Sequence, residues 1–564
     1  MVDGLLDFNE DDVMKKDVFS FIIGGKAGQG IKKAGDVVAH LFSSMNRHVF
    51  QMIDYPSLIR GGHNFAVVSS SVSPIYSHYM NADIVVVLDQ RSYNEHKKHV
   101  QKKGIIVYNS DKIDGEDIGI AISSESKKYD NSELIEGISG VAVLAAYLDM
   151  DKKTFEQIIE TEYRRNLDDN KKFALAIFNQ ANEKFKKKIK LKQGEKKQTV
   201  ISGNETIGLG AASAGLDLYF AYPMTPSTSV LHFYAKHSEQ LGIVSIQPES
   251  EIAVANMAIG ASFTGARSMV GTSGGGFCLM QEAFSLAGMT EAPVLFYLGQ
   301  RPGPSTGVPT YTEQGDLLFS LFPGQGEFPR IVASPGTIEE SFYLTNELLD
   351  LIWRFQTPGI LLSEKHLAES SMTVDINLNK IRWATPKIST DKTYKRYKNT
   401  QTGVSPLRFP PSDQPINWNS YEHDENGVTT EDADMISRMH VKRTKKHHKL
   451  IEFLKENIQT VNVFGTGEPY IFTFGSTTMS VLEALDYADI DATVIQPVYL
   501  QPFPTWELDQ YMNKKCIIVE QNNTGQLKQL LKDKIGINPV LSIRQFNGRA
   551  FDPVDLGKQL KKVV

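Results

Sequence analysis

The start of the chain sets a pattern that later segments repeat. A strand-like apolar run at residues 18–23 leads into Gly24-Gly25-Lys26-Ala27-Gly28-Gln29-Gly30. A helical pattern follows, with Ile31, Ala34, Val37, Val38 and Leu41 three or four positions apart. Further strands are expected at residues 64–70, 84–88 and 104–108. Strand, glycine turn and helix in alternation leave one economical solution, an open α/β sheet covered by helices.

The same alternation returns twice. Residues 199–375 are rich in glycine and small side chains, with a helical pattern at 250–264 and an apolar strand at 293–298. Residues 456–564 predict strands at 470–474, 492–496 and 515–520 and a helix over 479–487. Two stretches break the pattern. Residues 183–197 hold eight lysines, read as a solvated linker or as a docking patch for an acidic partner. From 376 to 448 proline, asparagine and charged residues dominate and no apolar period persists, which predicts an extended connection wrapped over another surface. The expected division is therefore 1–182, a linker at 183–198, 199–375, an extended segment at 376–455, and 456–564.

Composition removes several function classes. The chain has only two cysteines, Cys278 and Cys516. That excludes a disulfide scaffold, a four-cysteine zinc site and an all-cysteine iron–sulfur cluster within this chain. A net charge of −6 over 564 residues argues against nucleic acid as the main partner. No apolar run reaches the roughly eighteen residues of a membrane span. Asp7, Glu10, Asp11, Asp12 and Asp17 break up the first twenty residues, so a secretory signal is not expected and the cytoplasm is.

Candidate chemistry sits at the punctuation. Gly25, Gly28 and Gly30 between a strand and a helix serve either as a tight turn or as a backbone cradle for phosphate. Arg60 beside Gly61-Gly62 is a second place for an anion, or an ordinary turn. Tyr222-Pro223-Met224-Thr225-Pro226-Ser227-Thr228-Ser229 combines two prolines with hydroxyls at a helix start, suited to a carboxylate or simply to a cap. Glu249 and Glu251 open a helix of small residues, where a poorly solvated carboxylate would hold a proton more readily. Gly274-Gly275-Gly276 leaves backbone bare at a strand end, and Arg301 stands in the loop Gln300–Gly307 after another strand.

Taken in order, these motifs resemble the alpha subunit of 2-oxoacid:ferredoxin oxidoreductases, in the form with a gamma domain fused in front. The resemblance covers almost the whole chain. It rests on Gly25–Gly30 and Leu58–Gly62, Tyr222–Pro226, Glu249–Glu251, Arg301–Thr306, Tyr421–Glu425, Glu520–Gln526 and Asn547–Arg549. The family's Tyr-Pro-Ile-Thr-Pro appears with Met224, a swap that conserves volume.

The resemblance implies a transketolase-like, pyrimidine-type thiamine diphosphate domain, a transketolase C-terminal-like domain, and an α/β gamma domain before them. It implies that Glu251 hydrogen-bonds the aminopyrimidine ring of thiamine diphosphate, and that Tyr222, Thr225, Arg301 and Thr306 face the 2-oxoacid. Gly25, Gly28, Gly30 and Arg60 would lie near coenzyme A. The family's Gly-Asp-Gly for magnesium is absent here, as are its cluster cysteines. Mg2+ and a [4Fe-4S] cluster are thus expected on a separate beta subunit, in an alpha–beta heterodimer or a dimer of such pairs. The activity implied is oxidative decarboxylation of a 2-oxoacid, 2-oxoglutarate first, to acyl-CoA and carbon dioxide, with electrons passed to ferredoxin. Pyruvate, branched-chain or broad-range oxoacids, and a non-catalytic assembly or regulatory subunit, are the alternatives.

Overall fold

The computed structural model describes residues 16–57 and 62–563. Its strands are, in chain order, β1 (Val18–Lys26), β2 (His48–Asp54), β3 (His63–Ser71), β4 (Ala82–Val87), β5 (Val100–Asn109), β6 (Ile118–Ile120), β7 (Thr199–Ser202), β8 (Leu218–Ala221), β9 (Val244–Ile246), β10 (Ser268–Ser273), β11 (Val294–Gln300), β12 (Ile331–Ala333), β13 (Gly359–Glu364), β14 (Ser371–Val374), β15 (Val461–Phe464), β16 (Tyr470–Phe472), β17 (Thr493–Pro497), β18 (Tyr499–Gln501), β19 (Cys516–Glu520) and β20 (Leu541–Arg544). They form three sheets.

The first sheet runs β6-β5-β4-β1-β3-β2-β14-β7. Its β1, β4, β5 and β6 are parallel, while β3 turns antiparallel between β1 and β2. Residues 19–25 of β1 are all buried, which is why this strand reads as a continuous apolar run rather than an alternation. Gly24 and Gly25, expected in the loop, belong to β1 and pair with Phe65 and Asn64. A Cβ on Gly24 would meet the side chains of His96, His63 and Ser92 at 3.1–3.2 Å. The far edge is completed from beyond residue 198: β14 pairs antiparallel with β2, and β7 with β14.

The second sheet runs β18-β12-β13-β11-β10-β8-β9. All but β18 are parallel. The chain enters at β8, steps outward to β9, then returns on the other side through β10. Strand order therefore reverses between β8 and β10, and the loops at their carboxyl ends diverge to leave a crevice. The third sheet, β15-β17-β16-β19-β20, lies in the last segment, which also supplies β18. Packing continues across the segments: Phe50, Leu367, Met372, Met479 and Val554 share one buried cluster.

The expected extended connection needs correction. Its last third is a helix, Ala433–Asn457, started by Asp432, which accepts the Met435 N–H at 2.8 Å. The buried positions are Met439, Lys442, Arg443, Lys446, Leu450 and Leu454. Their spacing is helical, but cations fill the middle of the stripe, so no apolar period shows. Those cations are paired inside. Lys442 and Lys446 each reach one oxygen of Glu291 at 2.6 Å, Lys446 also donates to the Gln356 carbonyl at 2.7 Å, and Arg396 donates to the Thr290 and Glu291 carbonyls at 3.0 and 3.1 Å. Glu291 is 1% exposed. No helix among the described residues is long and apolar enough to cross a membrane.

Candidate active site

The crevice at the carboxyl ends of β8, β10 and β11 gathers most of the motif residues. After β8, Ser227 donates its hydroxyl to the Met224 carbonyl at 2.9 Å, closing the turn before the helix Thr228–Leu241. The Arg301 guanidinium, just past β11, donates to the Thr225 carbonyl at 2.8 Å. The link to Thr225 is thus through its backbone. Arg301 is half-buried, and burial lowers its pKa while Asp316 works against that shift.

Glu251 is the first residue of the helix Glu251–Phe263, capped by Ser250, which accepts the Ala253 N–H at 3.3 Å. Glu251 is 5% exposed, whereas Glu249 points to solvent. The Glu251 carboxylate accepts no hydrogen bond from the described residues. It lies instead against bare backbone: a Cβ on Gly276 would stand 2.9 Å from Glu251 Oε1 and 2.2 Å from Thr272 Oγ1. Gly275 faces Met224 Cε and the Ser305 carbonyl at 3.7 Å, so the three loops converge on the triple glycine. A buried carboxylate with no partner among the described residues is a place where a polar group can be received.

Tyr222 and Thr306 stand further out. Tyr222 is 39% exposed and Thr306 is exposed in a loop closed by the Val308 N–H bonding the Pro302 carbonyl at 3.0 Å. Residues not singled out from sequence complete the wall. Asp316 precedes the helix Leu317–Leu321 and packs on Gly274, and burial with nearby Glu313 pushes its carboxyl up to about 6. The sequence signal for Asp316 is an acid in a Pro/Gly loop just ahead of an apolar run.

Below the crevice, Glu364 ends β13 in register with Gln300. It accepts the Ser476 N–H, which joins the second sheet to the helix Thr477–Ala488. It is fully buried, and burial raises its carboxyl to about 7.

The first glycine loop is a separate place. Gly30 begins the helix Ile31–Ser44 with φ 71°, and a Cβ there would strike the Leu134 carbonyl at 2.8 Å. Gly25 is crowded by Gln29, whose amide donates to the buried Glu136 at 2.6 Å. Both glycines have packing reasons. Gly28 does not: nothing lies within 4 Å of its missing Cβ. Arg60 lies outside the described residues.

A cleft of about 480 Å³ runs from the first sheet to the last segment. Its walls include His63, Arg91, His96, Tyr311 and Arg549. His63 and His96 are joined Nε2 to Nε2 at 2.7 Å, and burial drives the His96 pKa down to about 3, so one neutral ring donates to the other. Arg549 lies over the Tyr311 ring at 3.8 Å. Tyr311 links this cleft to the loop that carries Arg301.

Comparison with known proteins follows the same division. The family described as "Pyruvate flavodoxin/ferredoxin oxidoreductase, thiamine diP-bdg" matches residues 209–442, and "Pyruvate ferredoxin/flavodoxin oxidoreductase" matches residues 20–180. A Sulfolobus 2-oxoacid:ferredoxin oxidoreductase subunit alpha is 30% identical, with 97% of each chain covered. The 2-oxoglutarate synthase subunit KorA of Archaeoglobus fulgidus is 32% identical over 58% of this chain and 89% of its own. The structure of 2-oxoglutarate:ferredoxin oxidoreductase from Magnetococcus marinus, with 2-oxoglutarate, coenzyme A and succinyl-CoA bound, superposes with a TM-score of 0.88 at 27% identity, covering 97% of this chain and 99% of that one.

Proposed function

We propose, for a chain that belongs to the family of 2-oxoacid:ferredoxin oxidoreductase alpha subunits, that it binds 2-oxoglutarate and one face of thiamine diphosphate in the crevice between β8, β10 and β11. The observation that carries this is the pairing of two half-built sites: Glu251, buried against Gly276 and without a hydrogen-bond partner among the described residues, and Arg301 braced on Thr225.

The residues present suit the cofactor. Glu251 can take a hydrogen bond from the aminopyrimidine ring, and glycine at 276 is what lets the Glu251 and Thr272 side chains close on that backbone, since a Cβ there would stand 2.9 Å from Glu251 Oε1 and 2.2 Å from Thr272 Oγ1. When bound, thiamine diphosphate supplies the carbanion chemistry of decarboxylation. The protein's part is placement. Arg301 keeps a free edge of its fork for the oxoacid carboxylate, because Thr225 occupies only Nη1. Thr225 orients that fork through its carbonyl and offers its hydroxyl to the keto end, with Tyr222 and Thr306 at the mouth. The 2-oxoacid loses carbon dioxide, its acyl carbon forms a thioester with coenzyme A, and two electrons leave singly for ferredoxin with release of one proton.

The coenzyme A is assigned to the cleft walled by His63, His96, Arg91 and Arg549, and the family resemblance adds Gly25, Gly28, Gly30 and Arg60 to that proposal. Its position supports this, since Tyr311 connects the cleft to the Arg301 loop. A beta subunit would bring Mg2+ and the [4Fe-4S] cluster, and the complex would work in the cytoplasm. The 2-oxoglutarate choice draws on the KorA and Magnetococcus marinus proteins. A broad-range reading has one observation in its favour: residues 302–316 hold no lysine or arginine for a second carboxylate, but do hold Glu313 and Asp316.

The test is a 2-oxoacid panel on the chain co-produced with its beta subunit, following reduction of ferredoxin or a viologen dye. Highest kcat/KM for 2-oxoglutarate supports the proposal. Equal turnover of pyruvate and branched-chain oxoacids moves it to the broad-range reading, and no turnover of any 2-oxoacid overturns it.

A further inference from the structure

The turn after β8 and the end of β10 are joined by a side chain that the reaction as described leaves unused. Met224 lies half-buried in that turn, and its backbone is fixed: its carbonyl accepts the Ser227 hydroxyl at 2.9 Å and the Thr228 N–H at 3.1 Å. Its sulfur accepts the Ser273 hydroxyl at 2.9 Å, with Thr272 Oγ1 further off at 3.9 Å. Ser273 is fully buried and stands at the N-cap position of the helix Gly274–Leu279, yet its side chain makes no cap bond. A serine in that position ordinarily gives its oxygen to the first N–H groups of the helix. Here its hydroxyl goes instead to a thioether, a weak acceptor.

The methyl beyond that sulfur reaches the triple glycine. Met224 Cε stands 3.7 Å from where a Cβ on Gly275 would be, and the Ser305 carbonyl meets the same point at 3.7 Å. Met224 thus has one half-built site on each side. Its chain neighbour Thr225 carries Arg301 on its carbonyl, and Gly276, next to Gly275, backs Glu251. An oxoacid held at Arg301 and aimed at a cofactor on Glu251 passes the Met224 methyl on the way. Beyond the carboxylate of a 2-oxoacid come the keto carbon, which turns to the cofactor, and the third carbon, which is left to meet that methyl. A methionine side chain is unbranched and adaptable. With its sulfur tied to Ser273, the terminal methyl can rotate aside while the rest of the side chain stays in place.

We propose that Met224 is a specificity-determining residue for the 2-oxoacid: an adjustable wall at the third carbon of the substrate, held by its sulfur to Ser273. The inference rests on the reading of Arg301 and Glu251 given above. The substrate class it implies is 2-oxoacids with or without a branch at the third carbon, weakly distinguished from one another there. Selection at the far end of the acid falls to other groups. A side chain branched at Cβ is stiff at χ1 and would turn the yielding wall into a fixed one.

The experiment uses the complex of this chain with its beta subunit and compares 2-oxobutanoate, 3-methyl-2-oxobutanoate and 2-oxoglutarate. The acids are scored by kcat/KM, or all by inhibition constants against the best substrate where one is not turned over. The readout is the preference for 2-oxobutanoate over the 3-methyl acid. Met224→Ile should raise it by about tenfold or more, the cost of one misplaced methyl in a fitted pocket. 2-Oxoglutarate, unbranched at the third carbon, should follow 2-oxobutanoate. Met224→Leu, unbranched at Cβ and close in volume, should keep the preference within about threefold of wild type. A merely structural role would weaken every acid alike and leave the preference where it was. An unmoved preference in Met224→Ile overturns the inference, as does an equal rise in Met224→Leu. Should Met224→Ile fail to assemble, Met224→Ala decides alone: removing the wall should lower the preference by at least about threefold, and an unmoved preference overturns the inference. A wild-type complex that turns over no 2-oxoacid refutes the proposed function instead, so the two failures are distinguishable.

Discussion

Replacing Glu291 by glutamine tests the buried charge cluster beneath the helix Ala433–Asn457. Glutamine keeps the shape and removes the charge. Lys442 and Lys446 lie 0% and 2% exposed by side chain, each 2.6 Å from a Glu291 oxygen, and Arg396 adds a third cation nearby. Two lysines thus share one carboxylate while Arg396 takes the Glu291 main-chain carbonyl, and burial holds the Lys446 pKa down to about 7. Without Glu291 both lysines must neutralise or draw in water. Removing one partner of a buried pair costs about 3–5 kcal/mol, whereas an exposed pair such as Lys449–Glu452 is worth under about 1 kcal/mol. The assay is native-state amide exchange, because a protein of this size need not unfold in one step. Protection over residues 433–457 should fall by about two to four decades, since each 1.4 kcal/mol is about tenfold. Replacing Glu291, Lys442 and Lys446 together by methionine should restore most of it. Glu291→Gln within about tenfold of wild type, or a triple variant no better than the single one, would refute the reasoning.

Arg301→Ala should lower kcat/KM for the 2-oxoacid by about 100- to 1,000-fold while size-exclusion profiles of the complex stay unchanged; a loss under about tenfold argues that another cation holds the substrate. Glu251→Gln keeps volume but cannot carry charge, so oxoacid decarboxylation measured as released carbon dioxide should drop at least about 100-fold, and unchanged release removes Glu251 from the chemistry. Glu364 gives a pH signature in stability. Its folded pKa of about 7 lies above the ordinary 4.5, so its contribution is full below pH 4.5 and is lost as pH rises to about 7. The loss amounts to about 3 kcal/mol. Glu364→Gln, a mimic of the protonated acid, should flatten the denaturation midpoint across that window; a slope equal to wild type shows that Glu364 does not titrate there.

The crevice was legible because its residue types are unusual where they occur. Prolines beside Thr225, three consecutive glycines after β10 and an arginine among Pro and Gly after β11 all mark strand ends where backbone must come close to something. Other features were not legible, for physical reasons. The helix Ala433–Asn457 hides its buried stripe because Lys442, Arg443 and Lys446 occupy it, and only knowledge of Glu291 and Glu422 turns those cations into interior residues. The proximity of His63 to His96, and of Tyr311 to Arg549, depends on pairings hundreds of residues apart in part. Asp316 lies against Gly274, a contact that sequence spacing does not announce. Likewise β7 and β14 are too short to announce which sheet they join.

That last pairing bears on how such a chain could be divided. Cut in the lysine-rich stretch, the front piece would lose its two outer strands, and Phe50 and the Val49 N–H, which now meets Thr373 Oγ1 at 3.1 Å, would lie at an open edge. Reassembly of the two pieces would then be strand addition, with main-chain ladder bonds supplying adhesion and Met372 on Phe50 setting the register. The covalent join thus acts as a tether that keeps a β-augmentation partner at high effective concentration. A split reporter built at residues 183–198 would report association through sheet completion rather than through the meeting of two finished surfaces.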